Sequence, residues 1–562
     1  MKTIKIFIGL CIIYLTSSCV DLNLNPLSMG TNASWYSNEQ EITMALNDLY
    51  KADFWPRISE DWTDNEAYRN TNSTFVAGTI TGQDGTVTGT WSNMYKAIAR
   101  ANSILAAIEK IPNDILNEEK KDVLKGEALF MRASMYANLV FFWGDVPYTT
   151  EVISIEEAFQ MGRTPKADVI NAIYKDYDQA IELLPINSGS IQRATKGAAL
   201  ALKARFALYM SEWNIVVDAT KACMALDEYK LYPNFRDLFL SKTHNTEESI
   251  FSLPRSVTAK VTVWADPYIT RNNGGWAAST PSWDLLASFT CTDGLPIDES
   301  PLFDPHDPFK NRDPRCNETI VPFGTSFLGF DYNPHPDALE VLNHSTGQMQ
   351  LNNDTKANTQ HASYNGLVWK KGIDETWLLN GHYVEVDNII IRYADILLMY
   401  AEAKIELNQV DDTVLNAINQ VRARAYGVNV EDTEKYPQVT EADPNKLRTI
   451  IRMERRMEFA KENSRYYDLI RWKIAEKALG IKSYGLLYPA DLLRDKVTTK
   501  GHWFWGMTPE IDENGIADFS KLENMGIIMP LIKRSFNPRQ YLWPIPTKDI
   551  LINNNLKQNP GY

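Results

Sequence analysis

The stretch VLKGEALFMRASMYANLVFFWGDVPY, residues 123–148, decides the class of fold because it carries a long helical pattern with a clear end. Apolar residues recur in it at steps of three or four, as one buried face of an α-helix requires: Leu124, Ala128, Met131, Met135, Leu139 and Phe142. Gly144 stands where a helix C-cap is favoured, and Pro147 blocks any continuation of the helix. The stretch therefore predicts a helix that ends near residue 144.

Further helical patterns follow this stretch along the chain. Apolar residues recur at helical spacing in five more segments: 164–185, 195–226, 389–408, 413–426 and 445–478. Successive helix pairs of about 30 to 40 residues look like tetratricopeptide-type repeats. We therefore expect a predominantly α fold of helix-pair repeats, with the helical scaffold at about 31–227 and 386–479.

Two regions, about 228–385 and 480–541, lack these patterns. They are rich in Pro, Gly, Asn and Trp, as WADPYITRNNGGWAASTPSWDLLASFTCTDGLPID (264–298) illustrates. Such composition is typical of long loops with short strands and short helices. We expect one domain over residues 31–562, in which these regions form a large, irregular, loop-rich insertion.

The N-terminal segment IFIGLCIIYLTSSCVDLNLNP, residues 6–26, indicates export. Lys2 and Lys5 precede an apolar run that has the length of a secretory signal and is too short to span a membrane. Cys19 follows Leu-Thr-Ser-Ser, which resembles a bacterial lipobox with its leucine one place early. We expect a signal peptide at 1–18 and a lipid anchor at Cys19 with a tether at 19–30. The alternative is an ordinary cleaved signal with an incidental cysteine.

Charge and cysteine content exclude several classes of protein. The chain carries a net charge of −14, which argues against nucleic acid as the main partner. Of the five cysteines, Cys11 lies in the signal and Cys19 at its end. The three that remain cannot all pair within the chain, so this is not a disulfide scaffold.

Several stretches together resemble one family, the SusD/RagB-like nutrient-binding outer-membrane lipoproteins. The strongest matches are RYADILLMYAEA (392–403), RMERRMEFAKENSRYYDLIRW (452–472) and the terminal YLWPIPTKDILINNNLKQNPGY (541–562), supported by NRDPR (311–315). These stretches occur in the family's order along nearly the whole chain.

The resemblance implies a SusD-like fold and a surface-exposed, lipid-anchored protein of the outer membrane. Members of the family capture oligosaccharides or polysaccharides, or other bulky nutrients, and help to deliver them to a SusC-like TonB-dependent transporter. The resemblance implies no cofactor and no catalysis.

The matched stretch 452–472 has a structural rather than a catalytic pattern. We expect one helix from Arg452 to Trp472, on which Glu462 and Arg465, and Asp468 and Arg471, stand three residues apart and can pair on the surface. The stretch therefore identifies the fold and offers no catalytic set.

Candidate ligand-binding residues are aromatic and polar residues in loops, since aromatic rings offer apolar faces to sugars and polar side chains bind hydroxyl groups. SEDWTDNEAYRN (59–70) places several of them in a loop that we expect to be exposed. Trp91 lies at a helix start, and Trp276 follows the flexible-looking NNGG (272–275). Cys291 lies in FTCTDG, and Tyr383 follows LLNGH. The candidates are Trp62, Asp64, Asn65, Trp91, Trp276, Cys291 and Tyr383.

Two other functions stay open at this point. A surface glycosidase needs two carboxyl groups about 5 to 10 Å apart, and 71 acidic residues supply such pairs by chance without marking one of them. A purely protein-binding scaffold is the second alternative, because helical repeats usually bind proteins.

We expect no metal site. The seven histidines are scattered and form no His-Glu-x-x-His motif. Asp304, Asp307 and Asp313 cluster in one turn and Asp512 begins another, but neither turn has the spacing of an EF-hand.

Overall fold

The computed structural model describes residues 35–187, 189 and 193–562, and these residues form a mostly helical protein with 41% helix and 11% strand. The predicted signal peptide (1–18), the anchor at Cys19 and the tether (19–30) lie outside the described residues. Of the described helices, none combines the length and the apolar character that crossing a membrane demands.

Seventeen α-helices occur in the described part of the chain. They are α1 Glu39–Leu49, α2 Gly85–Ile108, α3 Glu118–Trp143, α4 Ile155–Ala158, α5 Lys166–Leu183, α6 Lys196–Met210, α7 Trp213–Met224, α8 Trp283–Ser288, α9 Pro314–Thr319, α10 Tyr393–Glu406, α11 Asp412–Ala425, α12 Pro444–Glu458, α13 Arg465–Arg471, α14 Ala475–Ala478, α15 Ala490–Lys496, α16 Ser520–Asn524 and α17 Thr547–Ile552.

In the described residues, short strands pair in six small sheets. The strands are β1 Glu66–Tyr68, β2 Ser249–Leu253, β3 Val263–Trp264, β4 Ser279–Pro281, β5 Thr325–Phe327, β6 Phe330–Tyr332, β7 Glu340–Asn343, β8 Gln348–Leu351, β9 Tyr383–Val384, β10 Asn388–Arg392, β11 Lys482–Gly485, β12 Glu510–Ile511, β13 Ala517–Asp518 and β14 Met529–Lys533. Strands β5 to β8 form one four-stranded sheet, and the others pair as β1–β4, β2–β10, β3–β9, β11–β14 and β12–β13.

Helix α3, predicted from residues 123–148, is the centre of the helical scaffold. The Asn117 side chain accepts a hydrogen bond from the Lys120 N–H and caps the start, and Gly144 ends the helix at φ +74°. Nearly every residue from Leu124 to Trp143 is buried. The helix therefore packs on all sides, where the sequence pattern predicted a single buried face.

The helices pack on their neighbours in chain order, from α2 through α3, α5, α6 and α7. The array then continues from α7 to α10, which in turn contacts α11 and α12. Helices α7 and α10 are separated in sequence by the insertion and are adjacent in space. The predominantly α fold with an inserted, irregular region is thus confirmed.

The stretch 452–472 forms two helices, so the prediction of one continuous helix is wrong. Helix α12 ends at Glu458, and Lys461 and Asn463 adopt the left-handed backbone conformation at φ +62° and +61° before α13 begins. Glu462 consequently turns away from Arg465 and pairs with Lys371 at 2.6 Å. Asp468 and Arg471 do pair, at 2.8 Å, but both side chains are buried rather than on the surface.

Residues of the matched stretches meet in a buried ionic network between scaffold and insertion. Glu458 pairs with Arg392 at 2.7 Å and with Arg315 at 2.9 Å, and Arg392 also pairs with Glu248 at 2.6 Å. Burial alone would raise the pKa of Glu458, but Arg424, Arg392 and Arg315 outweigh it and hold that pKa well below its usual range. Each of these charges depends on its partners, because an unpaired charge here would be very costly.

Candidate functional site

Three aromatic side chains of the insertion come together at the surface: Trp264, Trp276 and Tyr383, here called the aromatic platform. Trp264 and Tyr383 are direct partners across the antiparallel pair β3–β9 and are 44% and 48% exposed. The ring of Trp276 lies 4.6 Å from that of Trp264, centroid to centroid, with the two planes at 89°. Large aromatic rings grouped in this way at a surface point to a binding site rather than to a core.

The opposite face of the β3–β9 ribbon closes a cavity. Because side chains alternate along a strand, Val263 and Val384 face inward and line a cavity of about 270 Å³. Burial raises the pKa of Glu60 to about 7 and that of Glu66 to about 8, and it lowers the pKa of Lys461 to about 7. The ribbon thus separates a polar interior from an aromatic exterior.

The loop that carries Trp276 is held on both sides, although NNGG suggested a flexible setting. The Asp354 carboxylate accepts hydrogen bonds from the backbone N–H of Arg271 at 2.6 Å and of Asn272 at 3.3 Å. A Cβ atom at Gly275 would lie only 2.4 Å from the carbonyl oxygen of Ile269, so the turn requires glycine there. Arg69 donates to the carbonyl oxygen of Trp276 at 3.1 Å. These contacts fix the direction of the Trp276 side chain.

The segment that carries Tyr383 is fixed by a polar contact to the Trp264 segment. His382 Nδ1 lies 2.5 Å from Asp266 Oδ1, and the His382 carbonyl oxygen accepts a hydrogen bond from the Ala265 N–H at 2.9 Å. Both contacts lie within two residues of a platform ring.

The loop that carries Trp62, Asp64 and Asn65 is buried, so the prediction of an exposed ligand-binding loop is wrong there. Trp62 stacks on Phe75 in the core with ring centroids 3.9 Å apart. The Asp64 carboxylate accepts two hydrogen bonds of 2.8 Å from Arg465. Asn65 Oδ1 accepts one from Arg456 at 3.0 Å. Asp64 and Asn65 of this loop thus bind arginines of the 452–472 stretch.

Trp91 and Cys291 lie outside the aromatic platform. Trp91 is buried against Trp143 and Tyr95 and lines the floor of an apolar groove of about 940 Å³ formed by the segments around α2, α4 and α17. Cys291 is fully buried, and burial raises the pKa of its thiol. A side chain without exposed surface cannot touch a ligand, so the contact predicted at Cys291 is wrong.

Trp264 was missed by sequence reasoning, while Trp276 and Tyr383 were among the predicted candidates. Trp264 lies in the two-residue strand β3, whose partner Tyr383 follows 119 residues later. The run of β-branched and aromatic residues in VTVW (261–264) is the only trace of the strand in the sequence.

The acidic side chains that were compared with an EF-hand, a calcium-binding loop, have other partners. Asp313 caps helix α9 and pairs with Arg315 at 2.8 Å, and Asp304 lies 3.3 Å from His306. Within residues 35–187, 189 and 193–562, no group of three or more His, Cys, Asp or Glu side chains is arranged to hold a metal ion.

Comparison with known proteins gives consistent matches along the chain. A family model described as the SusD family matches residues 247–562, and a second, described as starch-binding associating with outer membrane, matches residues 27–208. A solved SusD-like carbohydrate-binding protein from Bacteroides fragilis is 29% identical, with a TM-score of 0.75 over 93% of this chain and 99% of that chain. The SusD-like protein P25 of Formosa agariphila is 25% identical over 517 residues, which cover 84% of this chain and 90% of that protein. The SusD family model matches more than half of the length of this chain, and the chain therefore belongs to the SusD family.

Proposed function

We propose that this protein is a glycan-binding lipoprotein of the outer-membrane surface. It captures oligosaccharides or polysaccharides and delivers them to a SusC-like TonB-dependent transporter. The single observation that carries the binding role is the exposed aromatic platform of Trp264, Trp276 and Tyr383. The carbohydrate-binding description of the Bacteroides fragilis protein supports the same class of ligand.

The platform suits sugar rings physically. The faces of Trp264 and Tyr383 supply flat apolar surface against which the C–H groups of a pyranose ring pack. The net charge of −14 disfavours strongly anionic polysaccharides, so a neutral glycan is the expected ligand.

We propose binding without cleavage. The acidic side chains around the ribbon are held by protein donors. Asp266 pairs with His382, Glu385 accepts a hydrogen bond from the Val257 N–H at 2.6 Å, and Glu60 and Glu66 lie on the inner side of the ribbon. Glu66 accepts hydrogen bonds from Ser279 and from Trp369 Nε1, and Glu60 accepts one from the Asn463 N–H at 3.0 Å. The platform itself consists of aromatic rings, which bind sugars and do not transfer protons to glycosidic bonds.

The membrane role rests on the N-terminal segment. We propose that residues 1–18 direct export, that Cys19 carries the lipid and that residues 19–30 tether the described domain to the outer membrane. Several acyl chains on one cysteine give a stable anchor, whereas a single chain gives only marginal binding. The transporter partner comes from the family resemblance.

Calorimetric titration of the chain from residue 20 against plant, microbial and host glycans tests the binding role. We expect one class to bind and the variants Trp264→Ala and Tyr383→Ala each to lose at least about tenfold in affinity, or about 1.4 kcal/mol. Met44→Ala is the control, since Met44 is 53% exposed on helix α1 of the scaffold and lies away from both the platform and the groove around Trp91. Full affinity in both platform variants, or release of sugars from a bound glycan, would contradict the proposal.

A further inference from the structure

The three rings of the aromatic platform stand on three separate segments of chain. Trp264 belongs to 263–266, Trp276 to 274–277 and Tyr383 to 380–383. Their sequence separation is up to 119 residues, and the regular structure among them is limited to the two-residue ribbon β3–β9 and one 3-10 turn, Asn380–His382. A β-ladder of only two residue pairs gives little rigidity, so other contacts must fix the rings relative to one another.

Asp266 and His382 link all three segments. The Asp266 side chain accepts a hydrogen bond from His382 Nδ1 at 2.5 Å, and its backbone carbonyl accepts one from the Trp276 N–H at 2.7 Å. Asp266 stands two residues after Trp264, and His382 directly precedes Tyr383. Both side chains are about four-fifths buried, so water competes weakly for the contact.

The backbone around this contact is in a conformation that needs support. Ala277, Asn380 and His382 have φ of +44°, +52° and +65°. Non-glycine residues seldom adopt such values unless surrounding contacts impose them, and they cluster at ligand sites. His382 is one of these residues, and its side chain contacts Asp266.

We propose that His382 and Asp266 act as a positioning pair, which holds Trp264, Trp276 and Tyr383 as one platform for a ligand several sugars long. The inference rests on the proposed function and extends it. The rings do the binding, and the pair acts through them. Loss of the pair should therefore weaken long ligands, which need all three rings in register, more than a single sugar, which needs one.

Three substitutions test the pair in the chain from residue 20. His382→Leu keeps volume but removes the donor, and Asp266→Ala removes the acceptor. We expect each to lower the affinity for the longest bound glycan about tenfold and for its disaccharide less than threefold. The double variant should lose no more than either single variant, since both remove the same contact.

His382→Asn provides the rescue. An asparagine amide N–H can replace the Nδ1–H donor, and asparagine tolerates a positive φ. We expect it to keep the affinity for long glycans and the near-ultraviolet circular dichroism of the Trp264–Trp276 contact, which His382→Leu should reduce. Equal losses for long and short ligands in His382→Leu, or unchanged affinity and dichroism in both His382→Leu and Asp266→Ala, would overturn the inference. A wild type that binds no glycan would refute the proposed function, and the dichroism would still decide whether the pair holds the rings.

Discussion

Replacing Asp64 by asparagine removes the one negative charge that two buried arginines share. Arg465 donates two hydrogen bonds of 2.8 Å to the Asp64 carboxylate, and Arg456 Nη2 lies 3.0 Å from the same group. All three side chains are almost completely buried. Asp64 and the two arginines join the loop before β1 to helices α12 and α13, about 400 residues further along the chain.

The expected cost follows from what the substitution leaves behind. Burial lowers the pKa of Arg456 to about 10 even with Asp64 present, so the site already disfavours positive charge. Removing one partner of a buried ion pair costs about 3–5 kcal/mol, because the other charge stays buried without compensation. The total stability of folded domains is about 5–15 kcal/mol. Asp64→Asn should therefore remove a large part of the free energy of unfolding.

Guanidinium chloride unfolding at pH 7, followed by tryptophan fluorescence, measures the loss. Asp61→Asn is the matched control: burial raises the pKa of Asp61, so losing its charge should not destabilise the fold. Arg465→Gln completes a double-mutant cycle, in which the double variant should be more stable than the sum of the single losses predicts.

The same measurements separate a structural from a ligand-binding role. Burial opposes ionisation of Asp64, but Arg456 and Arg465 outweigh it and hold its pKa below the usual range. The stability that Asp64 contributes is thus present above its unfolded pKa of about 3.9 and is lost only as the pH falls below it. A loss under about 1 kcal/mol in Asp64→Asn at pH 7, together with a large loss of glycan affinity, would refute this reasoning and return Asp64 to the ligand site.

Two further predictions concern buried titrating groups. Burial, with Asp61 nearby, raises the pKa of Glu66 to about 8, so its contribution to stability is full below about pH 4.5 and lost as the pH rises through 8. Glu66→Gln should lose less stability than wild type between pH 5 and 9 in chemical unfolding; an identical pH profile would contradict this. Cys223, Cys291 and Cys316 are buried free thiols, and burial raises the pKa of Cys223 and of Cys316 to about 12. A maleimide at pH 8 should label none of the three in the folded chain and all three in guanidinium chloride; mass spectrometry counts the adducts, and labelling of the folded chain would contradict the burial.

The long helices could be predicted because their information is local. Helix α3 has its apolar spacing, its cap at Asn117 and its end at Gly144 within one stretch. The break in 452–472 could not be predicted, because distant contacts impose it. Lys461 donates to the carbonyl oxygen of Lys371 at 2.9 Å, and the Asn463 N–H donates to Glu60 at 3.0 Å.

The site shows the same division. Trp276 and Tyr383 were found because loops rich in Gly and Asn surround them, whereas Trp264 needed knowledge of its strand partner. The loop 59–70 has the composition of an exposed segment and is nonetheless buried. Its Asp64 carboxylate pairs with Arg456 and Arg465, and composition does not reveal that pairing.

The antiparallel pair β2–β10 brings the two ends of the insertion together, with Leu253 opposite Asn388. Residues 254–387 leave the scaffold and return to it at this one place, although they also pack against β1 and against residues 484–528. Doubling the length of a flexible loop among them costs only about 0.6 kcal/mol. Evolution can therefore lengthen, shorten or rewrite this part of the gene while α7 and α10 remain in contact. For protein engineering, the β2–β10 pair marks a graft point, where the exposed loops of one relative could replace those of another and carry its ligand preference with them, provided that the contacts to β1 and to residues 484–528 are kept.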